Sequence, residues 1–126
     1  MRADIQIVIN EIEKSLSLLR QRLDWDNVKK KREEFDALTE DPDLWNEPDK
    51  AQKLMRERQN FIDRVDAHDA MSTELKENIE LIELAEIEAD EEILQEVVAA
   101  LQKLKKRASS KELEALLNGC LLYTSP

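Results

Sequence analysis

The sequence predicts an all-α protein, an elongated helical bundle that contains a long antiparallel helical hairpin. The 126 residues include one glycine, 38% are charged and only 4% are aromatic, which favours long helices over strands and tight turns. Apolar residues also recur at spacings of three and four through most of the chain. A chain of this length predicts one domain with a slim core and modest stability.

The first helix is predicted from about Asp4 to Leu23. Its apolar residues are spaced alternately by four and three, which is the pattern of a heptad seam: Ile5, Ile9, Ile12, Leu16, Leu19 and Leu23. Because the residues between them are mostly polar, the seam must be covered by another helix while the other faces stay in water.

A second, shorter helix is predicted after the seam is interrupted at residues 24–26. Asp24 and Asp26 are both candidate caps, since a carboxylate accepts hydrogen bonds from the free amides of a first helical turn. We expect this helix to turn Val28, Phe35 and Leu38 inward.

The clearest connector is Thr39–Pro48, because each of its prolines removes an amide donor and biases the preceding residue away from helix. Asp41 and Asn46 are candidate caps within it. Leu44 and Trp45 are large apolar side chains in this polar stretch. We expect them to plug the end of the bundle, in preference to stacking on a base or a ligand.

A long helical hairpin is predicted after Pro48, since no proline or glycine follows before Gly119. The apolar stripe of the first arm comprises Ala51, Leu54, Met55, Phe61, Ile62, Val65, His68, Met71, Leu75, Ile79 and Ile82. Residues 88–92 hold no large apolar side chain and are the predicted turn, where Asp90 can cap the next helix. The inward stripe predicted for that helix comprises Ile93, Val97, Ala100, Leu101, Leu104 and Ala108. It continues with Leu113, Leu116 and Leu117 after Ser109-Ser110, where the helix is expected to be least stable. Two long helices joined by a short turn form an antiparallel pair.

Charge is distributed unevenly along the chain. The formal net charge of −10 argues against a protein that wraps DNA or RNA through a broad basic surface. Ten acids lie between Glu74 and Glu96 against the single base Lys76. Two runs are basic instead: Lys29, Lys30, Lys31 and Arg32, and then Lys103, Lys105, Lys106, Arg107 and Lys111. Both runs fit either solvated helix faces or contacts with RNA or an acidic protein.

The residues needed for catalysis or metal binding are not assembled by any motif. His68 lies on the apolar stripe, and Asp69, adjacent in sequence, is expected to point elsewhere, so a structural role is predicted for the histidine. Cys120, the only cysteine, has no general-base partner and cannot form an internal disulfide. With one glycine there is no phosphate-cradling loop. We therefore expect a protein that is not an enzyme and has no catalytic, cofactor or metal site.

The expected location is a reducing compartment, the cytoplasm. The acidic residues of the N-terminus interrupt the apolar core that a signal peptide requires. Nowhere do 18 apolar residues follow one another, so no membrane partner is expected.

Several segments together resemble one family. Ser15–Asp26, Glu40–Arg58 and Asn78–Leu84 are similar to the N-terminal domain of the bacterial peptide chain release factor 2 family. The most specific part is the proline-bounded Leu-Trp segment that leads into Ala-Gln-Lys-Leu. The resemblance covers residues 1–119, which it implies are that helical domain. Residues 120–126 match nothing expected there and are interpreted as an unrelated or disordered tail on a truncated fragment.

The resemblance implies a role in translation termination. In that family the N-terminal helical domain reaches toward the base of the ribosomal stalk. Later domains read the stop codon with Ser-Pro-Phe and trigger peptidyl-tRNA hydrolysis with Gly-Gly-Gln. Neither tripeptide occurs in this sequence, so we expect a ribosome-docking domain that cannot release a nascent chain alone. Its expected partners are ribosomal RNA and protein, contacted through the two basic runs.

Two other hypotheses remain open. The heptad seams equally suit a structural or adaptor hairpin that self-associates. If Ile5, Ile9 and Leu16 face a missing part of the protein, the chain should expose an apolar patch and associate. An enzymatic role requires that this chain be one piece of a larger catalytic assembly.

Overall fold

The computed structural model describes the backbone of residues 2–124 and the side chains of residues 2–117. Within that range the chain contains four α-helices and no strand, which confirms the predicted all-α class. The α-helices are α1 (Ala3–Leu23), α2 (Val28–Thr39), α3 (Pro48–Glu88) and α4 (Glu91–Thr124). Short 3-10 helices at Trp25–Asn27 and Pro42–Asn46 precede α2 and α3. The predicted boundary at residue 119, the tail at 120–126 and the side chain of Cys120 lie outside the described side chains.

The chain divides into two compact units. The first unit combines α1 up to Arg22 with α3 from His68 onward and α4. The second unit is Leu23–Ala67, which contains α2, both 3-10 helices and the start of α3.

The core of the first unit is built on the α1 seam, and its predicted apolar residues are all buried. Five of them, Ile5 to Leu19, pack in one cluster with residues from α3 and α4: Met71, Leu75, Ile82, Ala85, Leu94, Val97, Leu101, Leu104 and Ala108. Removing this much apolar surface from water is the main source of stability for the unit. The seam is therefore occupied within the chain, and the exposed patch expected at Ile5, Ile9 and Leu16 does not form.

Polar contacts fix the directions of the three helices in this unit. Arg107 of α4 pairs with Glu74 of α3, as an antiparallel hairpin requires. Lys105 pairs with Glu11 of α1, while Arg20 near the end of α1 contacts His68 of α3. Helix α1 thus runs antiparallel to α3 and parallel to α4.

The turn of the hairpin lies where the sequence predicted it. Helix α3 ends at Glu88, and Ala89 adopts a left-handed backbone with φ of 52°. The Asp90 amide then donates to the Ala85 carbonyl and the Ala89 amide to the Glu86 carbonyl, which is the Schellman pattern. The Asp90 Oδ1 atom accepts from the Ile93 amide at 3.1 Å, so Asp90 is the predicted cap of α4.

The second unit differs from the sequence predictions in several positions. Helix α2 has no fully buried residue, and Leu38, expected to point inward, is 51% exposed. Trp45 is 57% exposed and does not plug a bundle end. Its indole Nε1 donates to the Thr39 carbonyl at 3.2 Å, which satisfies the polar atom while the ring stays at the surface. The packing of α2 instead depends on Phe35, whose ring lies 5.7 Å from that of Phe61 on α3.

The predicted caps of the second unit also give a mixed result. Asp24 has a left-handed backbone with φ of 55° and makes no side-chain cap hydrogen bond. Asn27, and not Asp26, occupies the cap position of α2, also without a side-chain cap bond. Asp41 does cap the following 3-10 helix, because its Oδ1 accepts from the Asp43 amide at 3.0 Å. Asn46 lies at the last position of that helix.

Helix α4 continues through Ser109-Ser110 without a break. Beyond that point Leu113, Leu116 and Leu117 are exposed, whereas the sequence placed them on the inward stripe. Among the described side chains, the fully buried positions of α4 extend to Ala108, and Ala115 is half-buried against the same core.

Glycine substitution at the turn provides a test of this geometry. Ala89→Gly should raise the free energy of unfolding by about 0.5–1 kcal/mol, because glycine avoids the left-handed penalty that a Cβ incurs. Ala99→Gly is the matched control on the exposed side of α4 and should lower it by about 1 kcal/mol. Urea unfolding followed by circular dichroism measures both. Destabilisation by both substitutions would contradict the described turn.

Candidate functional site

The nine basic residues predicted to contact a partner lie on two helices in different compact units. Lys29, Lys30, Lys31 and Arg32 are on α2 of the second unit. Lys103, Lys105, Lys106, Arg107 and Lys111 are on α4 of the first unit. Each run is supported by its own helix.

The run on α2 does not form a single basic face. Consecutive residues of an α-helix are turned by about 100° from one another, so four in a row extend around most of the helix. Lys31 is directed toward the packed side, where its Nζ lies 5.1 Å from the ring centroid of the buried Phe61. Lys29 and Arg32, three residues apart, share an exposed face.

The run on α4 is partly occupied by contacts within the chain. Lys105 Nζ lies 2.6 Å from Glu11 Oε2, and Lys111 Nζ lies 3.2 Å from Glu114 Oε2. Arg107 pairs with Glu74 across the hairpin. These pairs are partly exposed and individually weak, about 0–1 kcal/mol each, but they orient the side chains.

Lys103 and Lys106 form the free part of this run. They share the face of α4 that is turned away from the buried residues Leu101, Leu104 and Ala108. Neither forms an ion pair within the described part of the chain. The same holds for Lys29, Lys30 and Arg32, so five of the nine residues form neither an ion pair nor a cation–π contact within the described residues.

His68 is a buried structural residue of the first unit. Its Nε2 lies 3.1 Å from Arg20 Nη1, and its Nδ1 lies 3.3 Å from Asp69 Oδ1. Because a guanidinium only donates, Nε2 accepts and the ring proton on Nδ1 is directed to Asp69. The prediction that Asp69 points elsewhere was wrong: the carboxylate orients the ring, which in turn ties α1 to α3.

The described residues do not assemble a metal or small-molecule site. No group of three or more His, Cys, Asp or Glu side chains within them is arranged to hold a metal ion. A cavity of about 50 Å³ between α1 and α4 is lined mainly by apolar residues such as Ile5, Val8 and Leu101. That volume is far below the several hundred Å³ of typical ligand sites. Near the start of α3, the pKa of the exposed Lys50 is raised, first by its hydrogen bond to Glu47 and second by the negative charge of Glu47.

Sequence reasoning missed a row of exposed apolar residues on α3. Leu81, Leu84 and Ile87 are 43%, 49% and 82% exposed. They follow each other at intervals of three, outside the buried positions Ile82 and Ala85. The signal was present in the sequence, because these three residues do not fit the four-and-three spacing of the stripe that ends at Ile82.

No helix of the described region has a stretch long and apolar enough to cross a bilayer.

Comparison with known proteins relates most of the chain to one family. The PCRF domain family matches residues 28–122. Peptide chain release factor 2 of Ruegeria sp. (strain TM1040) is 48% identical over 119 residues, which cover 94% of this chain and 32% of the relative. The protein of the same name from Roseobacter denitrificans is 52% identical, and that from Paramagnetospirillum magneticum 40% identical, over the same shares of each chain. The chain thus spans 32% of the length of these curated relatives.

Substitution of Lys31 tests whether it has a structural role. Lys31→Ala should lower the free energy of unfolding by about 0.5–1 kcal/mol, because it removes the cation from the Phe61 ring. Lys30→Ala is the matched control on the neighbouring, exposed position and should change stability by less than about 0.5 kcal/mol. Urea denaturation of both variants measures the difference, and equal effects would refute the structural role.

Loss of His68 should be more damaging than loss of Asp69. His68→Ala leaves a cavity and an unpaired Arg20 donor beside the core, so it should lower the free energy of unfolding by about 1–3 kcal/mol. Asp69→Ala removes a partner that is 58% exposed and should cost less than about 1 kcal/mol. Thermal and urea unfolding of both variants test this order, which the opposite ranking would overturn.

Proposed function

Because the chain belongs to the PCRF domain family, we propose that it acts in translation termination, as the ribosome-docking region of a peptide chain release factor in the cytoplasm. The observation that carries this proposal is the similarity of 94% of the chain to proteins named peptide chain release factor 2. Residues 1–119 are the docking domain in this proposal. Codon reading and peptidyl-tRNA hydrolysis are assigned in this proposal to other regions of a release factor, and residues 1–119 to docking.

The docking surface is proposed to lie near the base of the ribosomal stalk and to include the five residues of the two basic runs that are exposed and form neither an ion pair nor a cation–π contact within the described residues. Lys29, Lys30 and Arg32 extend from α2, and Lys103 and Lys106 extend from α4. Ribosomal RNA is a suitable partner, because such side chains neutralise phosphates and release counterions. Within each helix the charges are held at a defined spacing, on α4 by its buried residues and on α2 by the packing of Phe35 on Phe61, which favours a defined register on the partner.

Burial of the α1 seam within the chain supports the docking proposal over the self-associating hairpin. That hypothesis needed the apolar seam of α1 to be available to a second copy, and the seam is buried within the chain. An enzymatic role, with the chain as one piece of a larger catalytic assembly, is the other hypothesis. Adding separately made downstream domains of a release factor would test it, with restored peptide release as the supporting result.

Sedimentation with bacterial ribosomes across a salt series tests the proposal. Binding should weaken as salt rises, with a slope that reflects the number of phosphates contacted, about 0.7–0.9 for each. A version that ends at Gly119 should bind equally well if residues 120–126 are an unrelated tail. Failure of the chain to co-sediment at any salt concentration would overturn the proposed docking role.

Charge reversal identifies which basic residues contact RNA. Lys29→Glu/Arg32→Glu and Lys103→Glu/Lys106→Glu should each lower the salt slope by about 1–2 and weaken binding. Lys53→Glu/Arg56→Glu is the matched control, because these exposed residues have the same spacing and carry the same charge. Equal effects of the control pair and the two test pairs would show that only net charge matters.

A further inference from the structure

The hairpin end, defined here as residues 77–92, is strongly acidic. It contains eight acids and no lysine or arginine: Glu77, Glu80, Glu83, Glu86, Glu88, Asp90, Glu91 and Glu92. Glu77, Glu80, Glu83 and Glu88 are exposed and form no ion pair within the described residues. Phosphate groups are repelled by such a surface, so RNA is not its partner.

The same surface carries the exposed apolar row of Leu81, Leu84 and Ile87. Leu84 is two residues from the buried Ile82, which turns it by about 200° to the opposite side of α3. Glu80 and Glu88 flank it at one helical turn in each direction. With 82% exposure, Ile87 is almost completely in water. A row of three apolar side chains framed by acids is typical of a protein-binding surface.

We infer that the hairpin end binds a protein segment in which lysine or arginine alternates with large apolar residues. The apolar side chains of the partner would cover Leu84 and Ile87, and its cations would pair with the surrounding glutamates. The inference rests on the proposed function in one respect: the proposed function locates this protein partner on the ribosome. The two surfaces then differ in chemistry: the free lysines contact RNA and the hairpin end contacts protein.

A second copy of the chain is a poorer occupant. Two acidic hairpin ends repel each other. The free basic face of α4 continues to Leu113 and Leu117, which are 56% and 54% exposed, so this face carries both chemistries. The net charge of −10 on each copy nevertheless opposes association of two chains, and sedimentation equilibrium tests it.

A peptide titration tests the inference directly. The probe is a synthetic amphipathic helix of leucine and lysine only. One control peptide replaces leucine with serine at the same charge, and another replaces lysine with glutamate. The leucine–lysine peptide should bind at least about tenfold more tightly than either control, as measured by fluorescence anisotropy. Equal binding of the serine–lysine peptide would overturn the inference, because charge alone would then explain it.

Variants of the chain locate the binding site of the peptide. Leu84→Ser/Ile87→Ser should weaken peptide binding about tenfold, because the two exposed side chains lose their apolar contacts. Leu113→Ser/Leu116→Ser is the matched control, with the same spacing in the same unit and exposures of 56% and 42%. Both pairs are at the surface, so circular dichroism should show unchanged folding. Equal weakening by both pairs would overturn the inference.

Ribosome binding and sedimentation equilibrium separate this inference from the proposed function. Leu84→Ser/Ile87→Ser should weaken ribosome binding about tenfold without changing the salt slope set by the lysines. If the chain fails to bind ribosomes while the peptide results hold, the docking proposal fails and the inference stands. If the wild-type chain forms a dimer that Leu84→Ser/Ile87→Ser abolishes, the occupant is a second copy and the inference is wrong.

Discussion

Burial of the α1 seam by α3 and α4 is the interaction on which the first compact unit depends. The fully buried Ile12 of α1, Ile82 of α3 and Leu104 of α4 belong to one cluster, although the second unit separates α1 from its partners along the chain. Without α1, the inner stripe of the hairpin would be exposed to water, a cost that a helix pair does not offset alone. The ion pairs and the His68 contact sit at the edges of this cluster and fix its register.

The periodicity of the sequence was sufficient to predict the elements that bury a stripe. The seam of α1, the turn at Ala89 and the Asp90 cap follow from local spacing and local hydrogen bonding. Two contacts between residues far apart in sequence were not predicted. Lys31 is directed to Phe61, and the His68 ring is oriented by Arg20, neither of which local spacing can indicate. Trp45 was misplaced because a hydrogen bond to Thr39 satisfies its indole at the surface.

The candidate site was predictable in composition but not in detail. The basic runs were found from sequence, yet Lys105, Arg107 and Lys111 are engaged with glutamates of the same chain. The exposed row on α3 was overlooked because a search for buried stripes excludes residues that lie off the stripe. What emerges is a helical scaffold that presents free cations on α2 and α4 and an acidic, partly apolar end on the hairpin. Such a division of charge suits a partner made of both RNA and basic protein.

Site-specific photo-crosslinking on the ribosome tests the central claim most directly. A photoreactive amino acid is placed at either Lys106 or Ile87, and the cross-linked component is identified. The account predicts that position 106 cross-links to ribosomal RNA and position 87 to a lysine-rich or arginine-rich ribosomal protein. Cross-links from position 87 to RNA, or no specific cross-link from either position, would contradict it.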